Sequence, residues 1–182
     1  MNTQKVLPVS LMIGVLYSDQ ILLQKAEKLL MQCYGDVDYQ SQDFDFNISN
    51  YYIPEMGPWI QRRFLSFKRL ISPETIATIK LETNEIENAL ALDGQRKVNL
   101  DPGYLDYDKL VLASAKYNAQ KIHLSKGIWA DLTLRYEKGA FYPFPWSFPD
   151  FKSGQYNTDF LEMRVRYKKK LKAQLPMSES AQ

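Results

Sequence analysis

The order of strand-like and helix-like segments in the N-terminal half constrains the fold of this chain more than any other feature. Two amphipathic stretches predict helices, one beginning at Ser18 and stopping at Gly35, the other beginning at Ser72-Pro73-Glu74 and stopping at Gly94. Serine before a helix, proline at its first position and glycine just past its end are favoured there. Strand-like runs flank both helices, at residues 6–17, 37–46, 62–70 and 96–100. This order, β-α-β-β-α-β, is that of a ferredoxin-like unit.

The C-terminal half has a different pattern, with short strand-like runs joined by tight turns. The runs lie at residues 110–116, 121–124, 128–137 and 140–144. Lys126-Gly127 and Lys138-Gly139 occupy hairpin-turn positions, and a basic amphipathic helix follows at residues 157–175. We therefore predict an α+β fold: a ferredoxin-like βαββαβ core, extended by a C-terminal antiparallel β-meander and a closing helix. A single domain is expected over residues 1–175, with a disordered tail at residues 176–182.

Composition excludes several classes of protein. The chain has 182 residues with 45% hydrophobic and 24% charged residues, as in soluble globular domains. One cysteine and one histidine exclude an internal disulfide, a multi-cysteine metal site and a zinc site built on several histidines. No apolar run reaches the roughly 20 residues that span a bilayer. The apolar run at residues 11–17 carries no cleavage signal, so we expect a cytoplasmic location.

The segment Asn99-Leu100-Asp101-Pro102-Gly103-Tyr104 is the first candidate for a site. Asn and Asp bond to nearby backbone, Pro lacks an N–H, and Gly tolerates a positive φ, so the segment predicts a sharp turn. A rigid turn directly after a strand can aim side chains into a polar pocket. Asp101 would act there as a general base or as a ligand of a hard cation such as Mg²⁺. A purely structural Asp-Pro-Gly turn is an equally good interpretation.

Further polar residues have no evident structural role in the strands and helices predicted to contain them. Arg63 and Lys116 would neutralise an anion, since arginine in particular clamps carboxylates and phosphates. The helical stripe at residues 80–87 contains Asn84, a mediocre helix former, which suggests contact with the Asp101 segment. Asp131 lies on the polar side of a strand, which is either a solvent face or a face that presents carboxylate to a ligand. The ligand-binding candidates are Tyr52, Glu55, Arg63, Asn84, Asn99, Tyr104, Lys116 and Asp131.

Three functional hypotheses remain open. The phosphate loop, the dinucleotide fingerprint and the nucleophile elbow are all missing from the sequence. The first hypothesis is a protein that binds a small anionic ligand or a nucleotide such as GTP. The second is a non-catalytic protein- or RNA-interaction module that uses the sheet face and the aromatic segment at residues 141–150. The third is that all of these motifs are structural. The net charge of +2 gives no general attraction to nucleic acid or to a membrane, and a membrane partner is not expected.

Several motifs occur together along the chain. They are Tyr51-Tyr52 with Glu55-Met56-Gly57, Arg63–Phe67, Lys80 with Thr83-Asn84, Val98–Leu105, Lys109–Ser114, Tyr136 with Gly139, and Trp146 with Pro149-Asp150. In this order they resemble domain-of-unknown-function family 4416, a prokaryotic family, over about residues 6–167. Some members carry a GTP-binding label, which implies a nucleotide ligand. The family pattern has a His-Arg pair where this chain has Gln120-Lys121. If that histidine has a chemical role in the family, its absence here weakens any histidine-based catalysis.

Overall fold

The structure, a computed structural model, describes residues 2–174, and the predicted tail at residues 176–182 lies outside this range. The strands are β1 (Val9–Tyr17), β2 (Val37–Gln40), β3 (Phe44–Asp45), β4 (Gln61–Ile71), β5 (Val98–Leu105), β6 (Lys109–Ser114), β7 (Ile122–Ser125), β8 (Ile128–Glu137) and β9 (Ala140–Pro143). The helices are α1 (Gln20–Tyr34), α2 (Ile53–Met56), α3 (Ile76–Ala89), α4 (Pro149–Lys152) and α5 (Asn157–Gln174). Among the described residues, no helix is long and apolar enough to cross a membrane.

All nine strands join one antiparallel sheet. Its order is β2-β4-β1-β5-β6-β8-β7, with β3 also paired to β4 and β9 also paired to β8. This arrangement confirms the predicted α+β class with a large antiparallel sheet. Every residue of β1 is buried, as expected for a central strand with both faces covered.

Helices cover both faces of the sheet. The first face, which includes Leu11, Ile13 and Val15 of β1, packs against α1 and α3. The second face, which includes Met12 of β1, packs against α4 and α5. Alternate residues of a strand point to opposite faces, so β1 supplies apolar side chains to two separate cores. The closing helix predicted from sequence therefore packs on its own sheet.

Local signals explain the ends of these elements. The N-cap of α1 is Asp19, one residue later than the expected Ser18, and the Asp19 carboxylate accepts hydrogen bonds from the backbone N–H groups of Ile21 (2.8 Å) and Leu22 (2.9 Å). The two predicted hairpin turns are confirmed: Lys126-Gly127 has φ values of 52° and 74°, and Lys138-Gly139 has 46° and 94°. Two successive positive φ values are what a two-residue type I′ turn requires.

The predicted turn at residues 99–104 is wrong, because these residues form the interior of β5. β5 pairs with β1 along its whole length, from Val98 opposite Tyr17 to Leu105 opposite Ser10. Pairing with an apolar central strand overrides the local turn preference. Gly103 is required for close packing and not for a positive φ, since a Cβ there would overlap the Val111 carbonyl oxygen and lie 2.8 Å from Leu112 Cδ2.

Candidate functional site

The sheet opens between β5 and β6. The two strands pair from Leu105 opposite Leu110 to Gly103 opposite Leu112, and the pairing stops there while β5 continues along β1. The next residue of β5 is Pro102, which has no N–H to donate across the widening gap. A cavity of about 540 Å³ fills this opening. Its walls come from β4, β5, β6, α3, the segment 46–52 and α4.

Side chains of α3 satisfy the backbone of β5 where β6 has moved away. Lys80 Nζ donates a 2.7 Å hydrogen bond to the Leu100 carbonyl oxygen, and Glu87 Oε1 accepts one of 2.7 Å from the Leu100 N–H. Both side chains are buried, and burial raises the pKa of Glu87. The predicted contact of this helical stripe with the Asp101 segment is thus made by Lys80 and Glu87. Thr83, in contrast, donates within its own helix, to the Lys80 carbonyl oxygen.

Arg96 fixes the orientation of Asn99 at the edge of the cavity. Its guanidinium pairs with both carboxylate oxygens of Glu55, and Nη1 donates to Glu87 Oε2 at 2.7 Å and to Asn99 Oδ1 at 3.0 Å. This pairing holds the pKa of Glu55 below its usual value. Because a guanidinium can only donate, the amide oxygen of Asn99 faces Arg96 and its NH₂ faces away. Asn99 lines the cavity, and its Nδ2 is buried and has no hydrogen-bond partner within the described chain.

Arg62 enters the cavity from β4 by crossing over β1. The crossing takes place at Gly14, where a Cβ would lie 3.7 Å from Arg62 Nη1. Arg62 Nε lies 3.3 Å from Asp150 Oδ2, and Nη2 lies 4.0 Å from Asp101 Oδ2. The guanidinium also lies 4.9 Å from the ring centroid of Phe46. Arg62 is only 5% exposed, yet its Nε makes no hydrogen bond with residues 2–174.

At the mouth of the cavity, two exposed residues that line it contact each other. The Lys116 ammonium donates to the Tyr51 hydroxyl and lies 4.3 Å from the Tyr51 ring centroid. This hydrogen bond lowers the pKa of Tyr51. Deeper in the same wall, Lys121 Nζ lies 3.4 Å from Asp131 Oδ2 and donates to Ser114 Oγ at 2.8 Å, so Lys121 is neutralised within the protein.

The aromatic segment covers β8 and forms one wall of the cavity. Trp146 Nε1 donates to the Leu132 carbonyl oxygen at 2.9 Å, and Ser147 Oγ donates to that of Thr133 at 2.5 Å. Asp131 and Thr133 are therefore buried. The solvent-face interpretation of this part of β8 is wrong, because the segment lies over it. The alternation of side chains between the two faces is also interrupted where the β6–β8 pairing shifts register, between Leu110 and Val111.

The structure brings most of the predicted site residues into one cavity. Those that line it are Tyr52, Asn84, Asn99, Asp101, Lys116 and Asp131. Three others do not line it. Glu55 lies behind Arg96, Tyr104 packs against the core of the first face, and Arg63 is held on the first face by Asp43 and Glu27.

The arginine that lines the cavity is Arg62, whereas the sequence pattern led to the prediction of Arg63. Adjacent residues of a strand point to opposite faces, so a difference of one position exchanges the cavity for the opposite side of the sheet. β4 is buried on both faces, and its apolar pattern therefore carries no signal of which side is which. The other residues missed are Lys80, Glu87, Arg96 and Asp150.

The acidic residues of the cavity do not form a metal site of the usual composition. Over residues 2–174, no group of three or more His, Cys, Asp or Glu side chains could hold a metal ion. Asp101 and Asp150 instead lie near Nη2 and Nε of the Arg62 guanidinium.

One comparison with known proteins gives a match. A family model described as "Domain of unknown function (DUF4416)" matches residues 7–167. No curated protein and no solved structure matches the chain.

Proposed function

The chain belongs to the DUF4416 family, and we propose that it binds a small anionic molecule, rich in hydrogen-bond acceptors, in the cavity between β5 and β6. One observation carries this proposal. Arg62 and Asn99 line the cavity, and two of their buried donors, Asn99 Nδ2 and Arg62 Nε, make no hydrogen bond among the residues described, although Arg62 Nε lies 3.3 Å from Asp150 Oδ2. A buried polar group without a partner costs about 1–3 kcal/mol, and a ligand oxygen would recover that cost.

The charges of the cavity favour an anion at its mouth. Arg62, Lys80, Arg96 and Lys121 each lie within 4.0 Å of a carboxylate. Lys116 contacts a phenol hydroxyl instead, so its positive charge is not compensated by a carboxylate among the described side chains. A phosphate or carboxylate would replace Tyr51 as the partner of Lys116, because it adds an attraction between opposite charges that the neutral phenol lacks.

A nucleotide is the narrower form of this proposal. Phe46, Tyr52 and Phe148 line the cavity beside its polar groups, so a ligand with a flat ring would find apolar contacts there. The volume of about 540 Å³ lies within the range of small-molecule sites. Asp101, whose side chain is 28% exposed, would accept a hydrogen bond or a proton from the ligand. The cytoplasm, where such anions are abundant, is the location we propose.

Calorimetric titration tests this proposal. The probes are inorganic phosphate, pyrophosphate, ATP and GTP, each with and without Mg²⁺. We expect at least one of them to bind the wild-type chain. Asn99→Asp keeps the oxygen that faces Arg96 and replaces the free NH₂ by a second oxygen, so it should weaken binding at least about tenfold.

Asn2→Asp is the charge-matched control, since Asn2 is exposed and is not part of the cavity. Lys116→Gln is a second test that does not disturb a buried position. No heat of binding from any probe with wild-type protein would overturn the proposal. Equal losses in Asn99→Asp and Asn2→Asp would show that net charge alone decides affinity. A salt-dependent complex with RNA in place of these anions would favour the interaction-module hypothesis.

For the fold, we propose the narrower ferredoxin-like description of the first half. β1 and β2 are separated by β4, and β4 and β5 are separated by β1, while α1 and α3 make the two connections. This split β-α-β pattern supports the description. Amide exchange tests it, since β1, β4 and β5 should exchange as one slow unit. Equally slow exchange in the β7 and β9 hairpins would argue for a single nine-stranded unit.

A further inference from the structure

We infer that the ligand of this cavity is a polyhydroxylated anion, of the class of sugar phosphates and sugar acids. This inference rests on the proposed function and adds a chemical requirement to it. The requirement comes from Asp101, an acceptor without a donor, which lies next to donors without acceptors.

The three groups share one face of the sheet. Asn99 and Asp101 are two residues apart on β5, so their side chains point to the same side. Asn99 and Arg62 are both opposite Leu16 of β1, on its two flanks. Gly14 lies opposite Asp101 and has no side chain, so the space between Arg62 and Asp101 is left free there. All three groups line the same cavity.

Their hydrogen-bonding needs are opposite in kind. Asn99 Nδ2 and Arg62 Nε need acceptors, as shown above. The Asp101 carboxylate, 28% exposed, is free to accept from a ligand: its nearest cation is Arg62 at 4.0 Å, which is beyond hydrogen-bond length, and no hydrogen bond to it forms within residues 2–174. A phosphate or carboxylate placed here would satisfy the two donors but would be repelled by Asp101. An ammonium group would satisfy Asp101 but would leave the donors unpaired.

A hydroxyl group meets both needs, because it donates one hydrogen bond and accepts two, and it rotates to suit its neighbours. Several hydroxyls are needed to reach Asn99, Arg62 and Asp101 together. The half-buried amide of Asn84, on the α3 side of the cavity, offers a further donor and acceptor of the same mixed kind. The anionic group of the ligand then lies toward Lys116 at the mouth, and the hydroxyls lie deeper.

Matched pairs of ligands test the inference. Ribose 5-phosphate and pentyl phosphate carry the same charge on five carbons, but only the first has hydroxyls. Calorimetry with the wild-type chain should show ribose 5-phosphate binding at least about tenfold more tightly, the effect of one or two hydrogen bonds to charged or buried groups. Gluconate against hexanoate repeats the comparison for carboxylates and shows which anionic group the mouth prefers.

Asp101→Ala should remove the preference, bringing the paired ligands within about threefold of each other. Asp101→Asn preserves shape and should retain part of the preference, and continued binding of both ligands by Asp101→Ala shows that its site has not simply unfolded. Equal affinity of wild-type protein for ribose 5-phosphate and pentyl phosphate would overturn this inference and leave the proposed anion site intact. Failure of every phosphate and carboxylate probe to bind would overturn both.

Discussion

Two consecutive arginines of β4 end in opposite environments. Arg63, on the first face, donates to both oxygens of Asp43 at 2.7 and 2.8 Å and to Glu27 Oε1 at 2.9 Å. We call these three residues the Arg63 cluster. Arg62, on the second face, has one carboxylate at 3.3 Å, another at 4.0 Å and an Nε without a hydrogen bond among the described residues. An arginine whose N–H groups are hydrogen-bonded to carboxylates stabilises the fold. An arginine in a cavity with an N–H group that makes no hydrogen bond is available to a ligand.

The difference arises from what surrounds each arginine. The Arg63 cluster lies where α1 and the segment between β2 and β3 meet β4, and each supplies a carboxylate. Arg62 lies beside the opening between β5 and β6, where β6 no longer pairs with β5. Sheet pairing therefore decides which of two identical side chains is structural.

Arg62→Met should destabilise the protein by about 3–5 kcal/mol, because it leaves the Asp150 carboxylate, 3% exposed, without its cation. Urea denaturation measures the loss. The double variant Arg62→Met/Asp150→Asn should recover a large part of it. A loss no greater than that of Arg63→Met would contradict the assignment of Arg62 as the buried partner of Asp150.

Gly103→Ala should destabilise by about 1–3 kcal/mol, since the new methyl group meets the backbone of Val111 at the point where β5 and β6 separate. Gly14→Ala is the matched control. Its methyl group would lie 3.3 Å from the Phe64 ring, a side chain that can shift. Thermal unfolding should therefore show a smaller loss for Gly14→Ala, and the opposite order would disprove the close approach of β6.

Arg63→Met should cost about 1–2 kcal/mol and leave ligand affinity unchanged. The cost is smaller than for Arg62 because the carboxylates left behind, Asp43 and Glu27, are 36% and 18% exposed and can be hydrated. Reduced affinity for a phosphate ester in Arg63→Met would mean that the Arg63 cluster and the cavity are coupled.

The Arg63 cluster also predicts a pH dependence. Hydrogen bonds from Arg63 hold the pKa of Asp43 below its usual value of 3.8. A lowered pKa means that the folded state binds its proton less readily, so Asp43 contributes stability above pH 3.8 and loses it as the pH falls further. Stability curves from pH 5 to 2.5 should therefore be less steep for Arg63→Met than for wild type, measured at about 0.5-unit intervals. Parallel curves would refute this role.

Asn99→Leu should have the smallest effect on stability, within about 1 kcal/mol, because it removes an unpaired buried donor together with one hydrogen bond to Arg96. Asn157→Leu is the control, since Asn157 Oδ1 accepts a hydrogen bond from the Phe141 N–H and has its partner. We expect Asn157→Leu to cost more. A large loss in Asn99→Leu would identify Asn99 as structural.

Features that depend on neighbouring residues in the chain were predictable. The end of α1 at Gly35 and the Lys-Gly hairpin turns follow from φ preferences that act over a few residues. The stripe of α3 that contains Lys80 and Glu87 was also visible, because helical spacing places these residues together. Its contact with β5 followed from the presence of poor helix formers, although other members of the stripe make that contact.

The Asp101-Pro102-Gly103 segment shows why the rest was not predictable. The same residue types that form a turn can also terminate pairing between two strands. Which of the two occurs depends on β1, which pairs with β5 throughout, and on β6, which separates after Gly103. β1 is distant in sequence, and β6 diverges from β5 in space. Local residue preferences therefore cannot predict whether this segment forms a turn or ends the pairing of two strands.

By itself, the sequence determined the α+β class, the position of its main helices and the turns of the second half, because these follow from periodicity and local backbone preferences. Tertiary structure decided that residues 99–104 extend through the sheet, that the sheet opens beside Pro102, and that Arg62 rather than Arg63 enters the opening. The physical reason is strand pairing. The neighbouring strands decide which face of a strand is covered and which of its backbone groups stay unpaired, and those neighbours come together only when the chain folds.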